Sequence, residues 1–168
     1  MMKTITSILI ASLVAAGCGL LNSKAGGTGN VTATFILTDT TGRVDTTFAP
    51  GQHFYITFLL VNTSGETVTY TSRDLPMINF EILQGDSIIG ATVYAISNIA
   101  NPPPVKLLPG DTLRGECEAP ADFTTISPQN TLVHITIGAG SYIAKATYPP
   151  ISGANVKGAS SAGFIVRQ

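Results

Sequence analysis

The chain has no tryptophan, only two cysteines and two histidines, and few charged side chains, 11% of 168 residues. Each scarcity removes a class of function. Nine Lys and Arg against ten Asp and Glu leave no basic footprint, so no nucleic-acid partner is expected. His53 and His134 stand at no recognised ligand spacing with each other, a cysteine or a carboxylate, so no metal and no cofactor is expected. A Gly-x-Ser-x-Gly elbow is missing, and the glycine-rich GGTGN and GAGS stretches lack the strand, lysine and helix of a phosphate loop. The chain therefore reads as not an enzyme, with catalysis by Cys117 or a histidine as the alternative.

What is present is a period of two. In HFYITFLLVN, residues 53 to 62, Phe54, Ile56, Phe58 and Leu60 share one face, while His53, Tyr55, Thr57, Leu59 and Val61 share the other. VTATFILTD (31 to 39) and TVTYTS (67 to 72) repeat the habit with β-branched and aromatic residues. Turn signals separate these runs at 39 to 43, 49 to 51, 62 to 66 and 84 to 87, the last inside a hairpin of MINFEIL and SIIGATVYAI. Strands over 112 to 119, 131 to 138, 141 to 148 and 163 to 168 complete the set. No convincing helical window follows Cys18. The pattern predicts an all-β domain, an antiparallel sandwich of about seven to nine strands. Residues 97 to 111 and 149 to 162 are rich in Pro, Gly and Ser and are expected to be irregular surface loops.

In TLRGECEA, Cys117 shares a face with Leu113, Gly115 and Ala119, which points its thiol to the core as a small hydrophobe. His53 and His134 lie opposite the apolar faces and are expected to be solvated. Asp39, Asp45, Asp74, Asp86 and Asp111 lie in or beside turns, where carboxylates accept backbone N–H bonds. Asn30 and Asn62 each begin an Asn-x-Thr/Ser sequon, but Asn62 reads more simply as a turn residue.

One apolar run stands apart. Met1, Met2 and Lys3 precede a core from Ile5 to Ala16, and small residues lead into Cys18. The core is too short to span a bilayer and has the layout of a secretory signal. Val14 to Cys18 resembles a bacterial lipobox, with Ala15 at the position where Leu is usual. The resemblance implies cleavage before Cys18, a diacylglycerol on its sulfur, and retention on a membrane of the bacterial cell envelope. Gly19 after the cysteine resembles the pattern of lipoproteins sent to the outer membrane in Gram-negative cells. Residues 1 to 17 are then the signal peptide, 18 to 30 a lipidated Gly-rich tether spanning about 20 Å r.m.s., and 31 to 168 the β domain. With Cys18 assigned to lipid, no internal disulfide remains.

FYITFLLVNTSGETVTYTS, INFEI, LLPGDTL, GSYIAKATY and GFIVRQ together resemble the BsuPI-type domain, an immunoglobulin-like sandwich named for an intracellular proteinase inhibitor. The matching motifs are the strand ending at Val61-Asn62 before a polar glycine turn, the Leu107 to Asp111 turn, and the Gly140 to Tyr142 strand start. The missing tryptophan departs from that family, whose middle commonly carries one before the Pro-Gly turn. The resemblance implies a non-catalytic binding or structural module, with proteinase inhibition as the alternative. Its candidate binding loop is Ile99, Pro102, Pro103, Pro104, Val105 and Lys106, an extended strip stiffened by proline that would meet an envelope protein or protease. Lys106 is the residue suited to a trypsin-like pocket. The competing reading is that the prolines bridge two sheets and block edge pairing.

Overall fold

Burial alternates strictly along residues 54 to 62, because four apolar side chains at a spacing of two can leave water only on one face of an extended strand. The same rule organises the rest of the chain. The computed structural model describes residues 29 to 70, 74 to 75, 78 to 92, 95 to 96, 103 to 127, 129 and 131 to 168. The regular structure among them is all β. In chain order the strands are β1 (Gly29–Asp39), β2 (Thr47–Phe48), β3 (Phe54–Asn62), β4 (Val68–Tyr70), β5 (Asp74–Leu75), β6 (Asn79–Gln84), β7 (Ser87–Thr92) and β8 (Ala95–Ile96). They continue with β9 (Val105–Leu107), β10 (Thr112–Ala119), β11 (Phe123–Ile126), β12 (Leu132–His134), β13 (Gly140–Thr147), β14 (Ile151–Ser152), β15 (Ala154–Gly158) and β16 (Ser161–Val166).

Four strands form one sheet in the order β10-β3-β1-β15, and seven form another in the order β12-β11-β7-β6-β13-β16-β2. A three-stranded sheet, β14-β4-β9, and the β5-β8 pair are smaller. The two larger sheets share one core. Phe54 of β3 meets Phe164 of β16 at 5.0 Å between ring centroids and stacks on Phe48 of β2 at 4.2 Å. Phe35 of β1 meets Phe80 of β6 edge-on at 6.4 Å. Ala144 and Ala146 of β13 are buried in the same core, so bulky rings are accommodated by small residues on a neighbouring strand. Burial of each ring contributes about 1.5–3 kcal/mol. Among the described residues, Cys117 is the free cysteine, and packing rather than a disulfide holds the core.

Two expectations from sequence are corrected. The fold has more and shorter strands than about seven to nine, and two of its pairings are parallel rather than antiparallel: β1 with β15, and β2 with β16. Residues 149 to 162 are not an irregular loop, since β14 and β15 lie within them. Gly158 permits this edge. Its φ is +111°, and a Cβ there would stand 2.0 Å from the Ala33 carbonyl oxygen, so only glycine lets β15 lie against β1. On the other side of the same sheet, a Cβ at Gly115 would meet Ile78 at 2.7 Å, which fixes how closely β10 covers the core.

Candidate functional site

The candidate loop is placed by its pairing. Residues 1 to 28, including Cys18, and Ile99 and Pro102 lie outside the described residues. Pro103 and Pro104 are exposed, and directly after them Val105, Lys106 and Leu107 form β9, paired antiparallel with Tyr70, Thr69 and Val68 of β4. The strip is thus the edge of the three-stranded sheet. Alternation divides its side chains: Leu107 is buried in the core, Lys106 is exposed, and Val105 is 39% exposed. Pro103 and Pro104, lacking N–H groups, abut this edge where a further strand would pair.

What fastens the strip is Asn62, the fully buried last residue of β3. Its Nδ2 donates to the carbonyls of Leu107 (2.9 Å) and Glu66 (2.8 Å), and its Oδ1 accepts from the Ser64 N–H (3.0 Å) and hydroxyl (2.6 Å). Its own N–H donates to the Asp111 carbonyl (3.0 Å), and its carbonyl accepts from the Gly110 N–H (2.8 Å). Asp111 closes the turn by accepting the Leu108 N–H at 2.8 Å on its carboxylate. Two motifs that lie far apart in sequence, Val61 to Gly65 and Leu107 to Asp111, are therefore one hydrogen-bonded unit. A buried amide whose two N–H bonds are both used can carry no glycan, which removes the Asn62 sequon. The start of β1 joins the same end of the domain, because the Thr63 N–H and hydroxyl both donate to the Asn30 carbonyl, at 3.0 and 3.1 Å.

Cys117 and the two histidines do not converge. His53 is exposed and pairs through Nδ1 with Glu118 on the outer side of the four-stranded sheet. His134 is exposed on β12 of the other sheet, opposite Thr124. The Cys117 thiol is buried, and its pKa is pushed up by burial and further by the carboxylates of Asp122 and Glu116. That thiol faces the core while His53 and Glu118 face solvent, so the three cannot act on one substrate. Among the described residues no group of three His, Cys, Asp or Glu could hold a metal ion, and no helix is long and apolar enough to cross a membrane.

Asp39, Asp45 and Asp111 bear out the sequence reading of turn carboxylates that accept backbone N–H bonds. Asp39 accepts the Thr41 hydroxyl at 2.6 Å and the N–H groups of Thr41 and Arg43. The Thr41 hydroxyl bond, followed by the Arg43 N–H, holds its pKa below the usual carboxylate value. Asp45 accepts the N–H groups of Thr46 and Thr47. Asp122, which sequence reasoning passed over, accepts the Glu118 N–H at 2.7 Å and closes the turn after β10. Its signal was the Pro-Ala-Asp step from 120 to 122.

No protein-family model matches this sequence, and no curated protein matches it. Solved structures give weak likenesses. A β-glucosidase of Erythrobacter marinus aligns over 82% of this chain and 16% of its own length, at 11% identity and a TM-score of 0.39. A β-glucosidase of Listeria innocua, solved with glucose, aligns over 80% and 17% at 11% identity and a TM-score of 0.35. The chain thus spans less than a fifth of either enzyme, and likeness at this level carries no argument for a shared fold or activity.

Proposed function

We propose that the chain is a membrane-anchored lipoprotein of the bacterial cell envelope whose immunoglobulin-like domain is a non-catalytic binding or structural module. The observation that carries it is the charged, apolar, small-residue run that ends at Cys18. Strand order supports the domain assignment: β10-β3-β1 faces β7-β6-β13-β16, as the E-B-A and C′-C-F-G strands of that fold do. Tyr142 adds a second support. Near the start of β13 its hydroxyl donates to the Gly138 carbonyl at 2.9 Å, the back-bond of a tyrosine corner on strand F. The Asn62 unit gives the BsuPI-type motifs a common physical purpose. With lipid on Cys18 and β1 starting at Gly29, the stretch between them can reach at most about 40 Å from the membrane to the start of β1.

The test is Cys18→Ser with fatty-acid labelling and membrane fractionation of the full chain. Loss of label together with release from membranes, or stalled processing, is expected. Unchanged attachment overturns the lipobox reading. The proteinase-inhibitor reading draws on exposed Lys106 beside Val105 in extended backbone. It requires stoichiometric inhibition of a trypsin-like protease that Lys106→Ala abolishes.

A further inference from the structure

Sheet edges are where chains pair with one another, and folded proteins guard them with charge, proline or brevity. Most edges here are guarded. β10 carries Arg114, Glu116 and Glu118; β15 carries Lys157; β9 carries Lys106 behind Pro103 and Pro104; β14 is two residues long after Pro150; and β2 is two residues long between Asp45 and Pro50. The edge at β12 differs. No Asp, Glu, Lys or Arg occurs from Phe123 to Ala144, and Leu132, Val133 and Ile126 on this hairpin are 57%, 41% and 67% exposed.

The hydrogen-bond phase of the hairpin shows which groups are open. Ser127 donates to the Thr131 carbonyl and Ile135 to the Phe123 carbonyl, and Thr125 is paired with Val133 between them. In an antiparallel ladder the bonded pairs alternate, so Val133 turns its N–H and C=O toward β11. Leu132 and His134 turn theirs to the open side.

We propose that β12 is a self-pairing edge, and that two copies of this chain join antiparallel about a two-fold axis at Val133. Leu132 of each copy exchanges both backbone bonds with His134 of the other, which satisfies four donors and four acceptors. Val133 meets Val133 in the central, non-hydrogen-bonded pair, where Cα atoms lie about 4.5 Å apart. A two-fold axis brings groups against their own copies, so a charged edge would repel itself. An uncharged edge does not, and this singles out a second copy as the occupant. Leu132 and the Ile126 opposite it add apolar area on one face, and the Val133 pair adds it on the other.

Val133→Cys tests the geometry in the full chain, since that Cα separation suits a disulfide. Under mild oxidant the variant should run as a covalent dimer on a denaturing gel without reductant, while the unmodified chain and Val44→Cys, at an exposed site on a distant turn, run there as single uncrosslinked chains. His134→Pro removes an outward N–H and leaves the β11 ladder intact. It should retain the parent's circular dichroism while its molar mass by sedimentation falls about two-fold, from dimer to monomer, and its melting temperature loses the parent's dependence on protein concentration. A monomeric parent, an absent Val133→Cys dimer, or a cross-link to a different protein instead overturns the proposal.

Discussion

Replacing Asn62 should cost far more than replacing an ordinary turn residue, and the size follows from its partners. In Asn62→Ala the Ser64 hydroxyl, released from Oδ1, turns its one proton to the Glu66 carbonyl 2.9 Å away, so that carbonyl is not stranded. The Leu107 carbonyl loses a donor in a buried setting, at about 1–3 kcal/mol, and the Ser64 N–H loses its acceptor, at about 0.5–1.5 kcal/mol. The total is about 2–4 kcal/mol, or a fall of about 10 °C in melting temperature for a domain of this size. Asn62→Asp is the sharper probe, because it keeps the shape and changes only the donor. An ionised carboxylate would aim an acceptor at two carbonyl oxygens that now sit 2.8 and 2.9 Å from the amide nitrogen. At pH 7 it should be less stable than Asn62→Ala. Its folded carboxyl pKa is raised by the same repulsion, so its stability is present below the unfolded value and lost as pH rises through the folded one. Thermal and urea unfolding at pH 7 and pH 4 would measure this. An Asn62→Ala protein within about 0.5 kcal/mol of the parent, or an Asn62→Asp protein equal to it at pH 7, would refute the buried-hub argument.

Cys117 should be inert to a thiol reagent in the native protein and should react at once on unfolding; rapid native labelling would mean the core opens at β10. Because its folded pKa is raised, stability is full below the unfolded thiol value of about 8.5 and falls as pH rises, by about 1.4 kcal/mol between pH 7.5 and 9.5. Cys117→Ala should abolish that slope, leaving the similar effect of buried Tyr70 and partly buried Tyr148 to begin near pH 10. The Asp39 carboxyl is shifted the other way, so its contribution is present above the unfolded value of about 3.9 and is lost as pH falls through the lower folded one. Asp39→Asn should lower stability at neutral pH and flatten the acid limb of the curve, and an unchanged acid limb would refute the turn-lock reading.

The strands with a strong local signal were legible. Residues 54 to 62 had to alternate because their apolar spacing of two admits one buried face, and 112 to 119 read correctly because Cys117 and Ala119 fall opposite Arg114, Glu116 and Glu118. The hairpin at 84 to 87 was marked by its Gly-Asp pair, and the Gln84–Ser87 register bears this out. Elements that depend on a distant partner left weaker traces. β2 is two residues long, and Phe48 alone hinted that the segment dips into the core. β11 begins at buried Phe123, in a stretch whose next three residues are only partly buried or exposed, so it showed no alternation to read.

β15 shows the limit more clearly. ANVKG has a single β-branched residue and two glycines around it, and nothing local distinguishes it from a loop. It becomes a strand because Gly153 and Gly158 let the chain turn in beside β1, and a parallel partner far away in sequence leaves no periodicity at either place. The candidate site divides along the same line. The exposure of Lys106 could be expected from sequence, but its constraint could not, since β9 exists through β4 and through an amide at Asn62. That hub was recognisable only as two separate turn motifs. A turn residue and a core residue look alike in sequence when both are Asn, and only the carbonyls brought to Asn62 by the return of the chain at Leu107 decide which it is.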